Sequence, residues 1–287
     1  MRQPFYDVYA FCRTADDLAD ESASPDEARA GLQNYRRQID DLFAGRETSG
    51  LFIALADTIS KFDLPREPFD DLLDAFLQDQ SVTRYPDEDT LLRYCSGSAN
   101  PVGRLVLGMA GSDSVENVGL SDEVCTALQL VNFWQDVKRD FQIGRVYLPA
   151  SVMQTYRFDE SMIATTISQN QSTPQCFRDA IASQCGRTRE RFERGRDLIE
   201  RVPAWLAPDI ELFIGGGVAT LNAIGRIDYD VLRIRPRVSK HRQAALIVRT
   251  AARRMLARRS QTSQTDTTSQ TDTMDCGTSA IPRGDAT

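Results

Sequence analysis

With 287 residues, 41% of them apolar and 26% charged, the chain has the composition of one globular body with a sizeable core. A net charge of −7 and a single histidine, His241 in an arginine-rich segment, argue against a uniformly basic nucleic-acid surface and against Ser-His-Asp or Cys-His nucleophilic chemistry. No apolar run reaches the roughly 18 residues of a membrane span, the start lacks a signal-peptide pattern, and the six scattered cysteines never form Cys-x-x-Cys, so a cytoplasmic chain with reduced thiols is expected.

In chain order, "FYDVYAFCRTADDLAD" is apolar at Phe5, Val8, Tyr9, Phe11, Cys12, Ala15 and Ala19, close to the helical template. The next segment carries a capping signature, with Ser24 as N-cap, Pro25 in the first turn, Glu27 three residues after the cap, and Gly45 at the end. Further helices are predicted at 49–62, 66–78, 87–110, 121–141, 175–201, 205–228 and 239–259, separated by Pro and Gly. A short β-like patch is expected only near "GRVYLP". The class is therefore all-α, in one domain over 1–260.

The tail, 261–287, repeats "TSQTDT", has no aromatic ring, and has one large aliphatic residue, Ile281. Such a segment cannot bury enough surface to offset its ordering entropy, and disorder is expected there. By contrast, the stretch from Arg233 to Arg259 holds ten Lys or Arg and no acid. It reads either as a solvated helix or as a peripheral contact with an anionic membrane.

Two acidic clusters carry the chemistry. On the first helix Tyr9, Arg13, Asp16 or Asp17, and Asp20 follow one stripe; in "QLVNFWQDVKRD" Gln129, Asn132, Asp136 and Asp140 follow another. Acids four apart repel, and each cluster alone reads as a solvated face. Both stripes, however, mix carboxylates with Arg, Tyr, Asn or Gln on helices rich in buried-type residues. That combination suggests two surfaces for Mg²⁺, which takes oxygen ligands, keeps several waters, and shares its shell with substrate phosphates. Arg13, Lys138, Arg139 and Arg145 are placed to take remaining phosphate charge.

At these residues the chain resembles the squalene and phytoene synthases, head-to-head isoprenoid synthases with an all-α fold around a central apolar cavity. The similar segments are "YAFCRTADDLADE", "YCSGSANPVGRLVL", "QLVNFWQDVKRDFQIGRVYLP" and "YDVLRIRPRVSK", over about residues 5–255. The details "SANPVGRLVL", "NFWQDVKRD" and "RPRVS" look most like the bacterial hydroxysqualene synthase branch of hopanoid biosynthesis. That branch takes presqualene diphosphate, expels diphosphate and adds water to give hydroxysqualene. Sister enzymes join two prenyl diphosphates into presqualene diphosphate, phytoene or dehydrosqualene, and some relatives are non-catalytic assembly or binding proteins.

The resemblance implies that Asp16, Asp20, Asn132, Asp136 and Asp140 hold Mg²⁺ against the diphosphate, with Tyr9, Arg13, Arg145 and Arg235 contacting substrate. Tyr9, Phe11, Tyr94, Phe133 and Trp134 are candidates for facing a carbocation, which an aromatic ring stabilises by about 0.5–2 kcal/mol. Plain core packing is the alternative for each ring. Gln129 and Tyr94 are expected to orient the water. Three departures stand out: Gln135 occupies an arginine position of the second motif, Gly215-Gly216-Gly217 replaces a substrate-contacting Tyr, and relatives carry an additional helix ahead of the first motif. The glycines are expected to widen the cavity or to let backbone approach a ligand.

Overall fold

The computed structural model describes residues 2–238. The helix predicted over 239–259, His241 and the tail over 261–287 lie outside the described residues.

Among the described residues the regular elements are helices: α1 Arg2–Asp20, α2 Pro25–Phe43, α3 Leu51–Phe62, α4 Glu67–Gln78, α5 Glu88–Ser98, α6 Asn100–Met109, α7 Val115–Gln142, α8 Ala150–Thr155, α9 Glu160–Ser168, α10 Gln175–Gly195, α11 Leu198–Arg201 and α12 Ala207–Arg226. The Ser24 cap forms as expected, accepting a hydrogen bond from the Glu27 N–H at 3.2 Å.

The helix predicted over 87–110 is two. The chain breaks at Ala99 (φ −119°), because Pro101 in the first turn of α6 has no N–H to continue the α5 ladder. The segment predicted over 175–201 likewise divides into α10 and α11. α7 begins six residues before its predicted start, on a Ser114 cap that accepts from the Asn117 N–H at 3.3 Å. The short α8 and α9 carry too few turns to show a period.

Two hydrophobic cores organise the helices. The first joins α1–α4 around Phe11, Leu32, Ile39, Leu55, Phe69 and Leu73, with Phe11 stacked on Tyr35 at 5.4 Å and edge-on to Phe69 at 5.2 Å. The second, around Trp134, Phe177, Ile181, Phe192 and Ile224, holds α5, α7, α10 and α12 together. α6 belongs to both, since Leu105 and Met109 pack into the first core and Leu107 into the second. α1 packs on α2, α3 and α4, whereas α7 packs mainly on α10, α6 and α12. The two motif helices thus stand in different halves of the molecule.

The expected β-like patch is a single parallel bridge between Arg84 and Val146. The Val146 N–H donates to Thr83 O at 2.9 Å, which sets Tyr85 beside Tyr147. No helix among the described residues is long and apolar enough to cross a membrane.

Candidate active site

α7 loses helical geometry at Asp136 (φ −108°, ψ 15°), nearly two turns before its end at Gln142. The segment after α12 is fastened to this kink. Gln135 Nε2 donates to Pro236 O at 2.9 Å, and Arg235 grips both Asp136 oxygens, Nε at 2.6 Å and Nη2 at 2.8 Å. The neutral amide at 135 therefore anchors backbone, and the positive charge beside Asp136 comes from Arg235. Hydrogen bonding to the carboxylate pushes the Arg235 guanidinium further up.

Past α7, Gly144 adopts φ +84°, a turn that L side chains rarely take, and the chain reverses so that the Arg145 N–H meets Asp140 O at 2.8 Å. The Arg145 side chain then reaches across to the first motif, donating to Asp20 Oδ1 at 3.3 Å. One arginine thus spans the two rows. Burial works against its charge, but Tyr147, Asp79 and Asp20 outweigh that and raise it.

The carboxylates around Arg145 are held in their charged forms at a cost. Burial, then Asp136, pushes Asp140 up to about 6, against the pull of Arg139, Arg145 and Arg235. Asp16 is raised by burial and by Asp20. Asp79, just beyond α4, is pushed up to about 6 by burial, reinforced by Asp20 and Asp16 and opposed by its hydrogen bond from Tyr94 and by Arg145. The group of acids is short of positive charge. Among the described residues no three acids, histidines or cysteines converge into a closed metal cluster.

An apolar cavity of about 320 Å³ adjoins the second row. Val102 and Val106 of α6, Val124 and Leu128 of α7, and Ile210 and Phe213 of α12 line it. Gln129 and Asn132 add polar groups to its lining along α7, about two turns and one turn ahead of Asp136. A half-open apolar pocket between α6, α7 and α12, with Val102 and Phe213 partly exposed at its lining, is thus present.

The structure also places the remaining residues named from the sequence. Phe11 is fully buried in the first core, and Trp134, fully buried, donates its indole N–H to Thr188 Oγ1 at 2.9 Å, so both are packing residues. Tyr9 is 66% exposed. Arg13 is engaged along its own helix by Asp16 at 3.0 Å, by Asp17 and by Glu21 at 3.6 Å. Gln129 and Tyr94 are not paired: Gln129 lines the apolar cavity, while Tyr94 borders a separate polar hollow with Asp71 and Arg104 and donates to Asp79 Oδ2 at 3.0 Å. Phe133 stacks on Tyr147 at 3.8 Å.

Of the glycine run, Gly217 serves helix packing, since a methyl there would drive into the Phe192 ring of α10. Gly216 faces open space. Asp79, Tyr85 and Tyr147 were not anticipated, because no local period marks them; only the Arg84–Val146 bridge hinted at by "GRVYLP" bears on their meeting.

Comparison with known proteins shows the family and the fold. The sequence matches the squalene/phytoene synthase family over residues 1–242. It is 35% identical over 153 residues to a presqualene diphosphate synthase of Rhodopseudomonas palustris, covering 53% of this chain and 54% of that one. It is 28% identical over 251 residues to a phytoene synthase of Arthrospira platensis, covering 82% of this chain and 78% of that one. The match spans about half the length of the presqualene diphosphate synthases, 54% and 53% of two such relatives. Squalene synthase HpnC from Alicyclobacillus acidocaldarius superposes with a TM-score of 0.73 at 40% identity, over 79% of this chain and 84% of that one. A dehydrosqualene synthase superposes equally well, at 0.73 with 24% identity, and so shares the all-α isoprenoid synthase fold. The chain belongs to the squalene/phytoene synthase family.

Proposed function

We propose that the protein converts presqualene diphosphate and water to hydroxysqualene with release of diphosphate, in a Mg²⁺-dependent reaction. The observation that carries this reading is the layout of α7: an apolar cavity wall at Val124 and Leu128 passes through Gln129 and Asn132 directly into the Asp136 and Asp140 row, with Arg145 and Arg235 beside it. A ligand with a long apolar body and an anionic head fits that sequence of surfaces. The likeness to squalene synthase HpnC at 40% identity supports the branch.

The residues suit a hard, partly hydrated cation. They offer only oxygen donors, their acids outnumber the nearby arginines, and Asp140 is raised by burial and a neighbouring acid. Asp16 and Asp20 on one side, and Asp136, Asp140 and Asn132 on the other, would hold the metal. When bound, Mg²⁺ neutralises charge developing on the departing diphosphate. Arg145 and Arg235 donate charge-assisted hydrogen bonds to the same group. Peripheral contact of the basic run 233–259 with an anionic membrane belongs to this reading, and co-sedimentation with anionic vesicles tests it.

A second reading is condensation of two prenyl diphosphates, favoured by the presqualene diphosphate synthase relatives at 35% and 36% identity. Full-length protein with Mg²⁺ is offered presqualene diphosphate and farnesyl diphosphate separately, and products are identified by mass spectrometry. An alcohol from presqualene diphosphate is expected. Condensation of farnesyl diphosphate alone would replace the first reading with the second, and no turnover of either would refute both. Asp136→Asn should nearly abolish diphosphate release with an unchanged circular dichroism spectrum; undiminished release refutes its metal role.

A further inference from the structure

Between the two rows lies a polar cluster assembled from three separate stretches of chain. Tyr94 of α5 donates to Asp79 Oδ2 at 3.0 Å, which leaves Oδ1 for another donor. The Tyr85 ring lies 5.4 Å from that of Tyr94 and 5.8 Å from that of Tyr147. The Tyr85 hydroxyl is buried, with the residue 1% exposed, and has no hydrogen-bond partner. Buried hydroxyls are almost always paired, so an orphaned one points to a small polar ligand. Asp79, Tyr147 and Arg145 all act electrostatically on Tyr85, which places its phenol among these groups. On the other side, Phe133 covers Tyr147 at 3.8 Å and shields the cluster.

We propose that Asp79, Tyr85 and Tyr94 form the seat of the water molecule added to the substrate, with Asp79 accepting its proton; this rests on the hydroxysqualene reading. The C–O bond to diphosphate breaks and its electron pair leaves with the diphosphate; a C–C bond of the substrate's cyclopropane ring shifts to the cationic carbon, and a second ring C–C bond opens as its electron pair forms the alkene of the product. A lone pair of the seated water forms the new C–O bond to the cation. One water O–H bond breaks, the proton passes to Asp79 Oδ1, and the neutral alcohol remains. Asp79 returns the proton to solvent before the next turnover. Tyr85 orients the water through its free hydroxyl, and Tyr94 holds the carboxylate. The upward displacement of Asp79, to about 6, suits a group that takes a proton near neutrality.

The test uses full-length wild type, Tyr85→Phe and Asp79→Asn with Mg²⁺ and presqualene diphosphate. Released diphosphate is measured alongside the ratio of hydroxysqualene to hydrocarbon product, in H₂¹⁸O to trace the alcohol oxygen. Tyr85→Phe should lower that ratio about fivefold, the worth of one hydrogen bond. Asp79→Asn should lower it ~10²-fold, the typical worth of a general base, with diphosphate still released. An unchanged ratio in both variants, with alcohol from wild type, overturns the water seat alone. A Tyr85→Phe protein that is more stable yet has the wild-type ratio marks the phenol as packing and does the same. Loss of diphosphate release in both variants reassigns the cluster to leaving-group departure and also overturns the proposal. Wild type that makes no alcohol refutes the hydroxysqualene reading, and this inference with it.

Discussion

Asp79→Asn also tests the electrostatic account of the site through stability. Asp79 rises from an ordinary 3.8 to about 6 on folding, chiefly by burial. At about 1.4 kcal/mol per tenfold in proton affinity, ionised Asp79 weakens the fold by about 3 kcal/mol relative to its protonated form. Asp79 keeps some solvent contact, which trims the effect to about 2 kcal/mol. Because the folded value lies above the unfolded one, the favourable contribution is complete below 3.8 and is lost as pH rises through about 6. The amide of the variant does not titrate and carries no such dependence. The stability of Asp79→Asn minus that of wild type should therefore increase by about 2 kcal/mol between pH 4 and pH 7, or about 4–8 °C in Tm. Urea unfolding of the full chain in EDTA at several pH values measures it. Asp140 shifts in the same direction but is present in both proteins and cancels in the difference. A difference that stays flat across this range would refute burial as the force acting on Asp79.

Two further substitutions probe the packing that positions the site. Gly217→Ala should destabilise by about 1–3 kcal/mol, because its methyl enters the Phe192 ring, whereas Gly216→Ala should be neutral or stabilise by up to about 1 kcal/mol, because its methyl meets open space on a helix. Thermal melts of the pair check this, and equal effects would refute the packing role. Thr188→Val removes the acceptor of the Trp134 indole N–H and should cost about 1–3 kcal/mol in urea unfolding, with a red-shifted or broadened Trp signal as its second readout.

What could be read early was short-range. The periods of α1 and α7 set Asp16 and Asp20, and Asp136 and Asp140, on single stripes, because side chains three and four apart share a helix face whatever surrounds them. The Ser24 cap was legible for the same reason: its bond closes within three residues. The break at Ala99 was also available in principle, since Pro101 cannot continue a ladder, but the apolar pattern of 87–110 runs through it. Aromatic rings were less readable. Phe11 and Trp134 carry no local mark that separates a core residue from a cavity wall, and only their neighbours Phe69 and Thr188 decide it.

By itself, then, the chain order of residues determined an all-α protein with two carboxylate rows and the motifs of its family, since helical period, caps and motif spacing are properties of adjacent residues. Tertiary structure alone decided that Arg145 spans the rows, that Arg235 rather than residue 135 supplies the charge at Asp136, and that Asp79 meets Tyr85, Tyr94 and Tyr147. Those contacts join residues far apart in the chain. Their geometry depends on how two cores meet at α6 and on one bridge between Arg84 and Val146, neither of which any local pattern encodes.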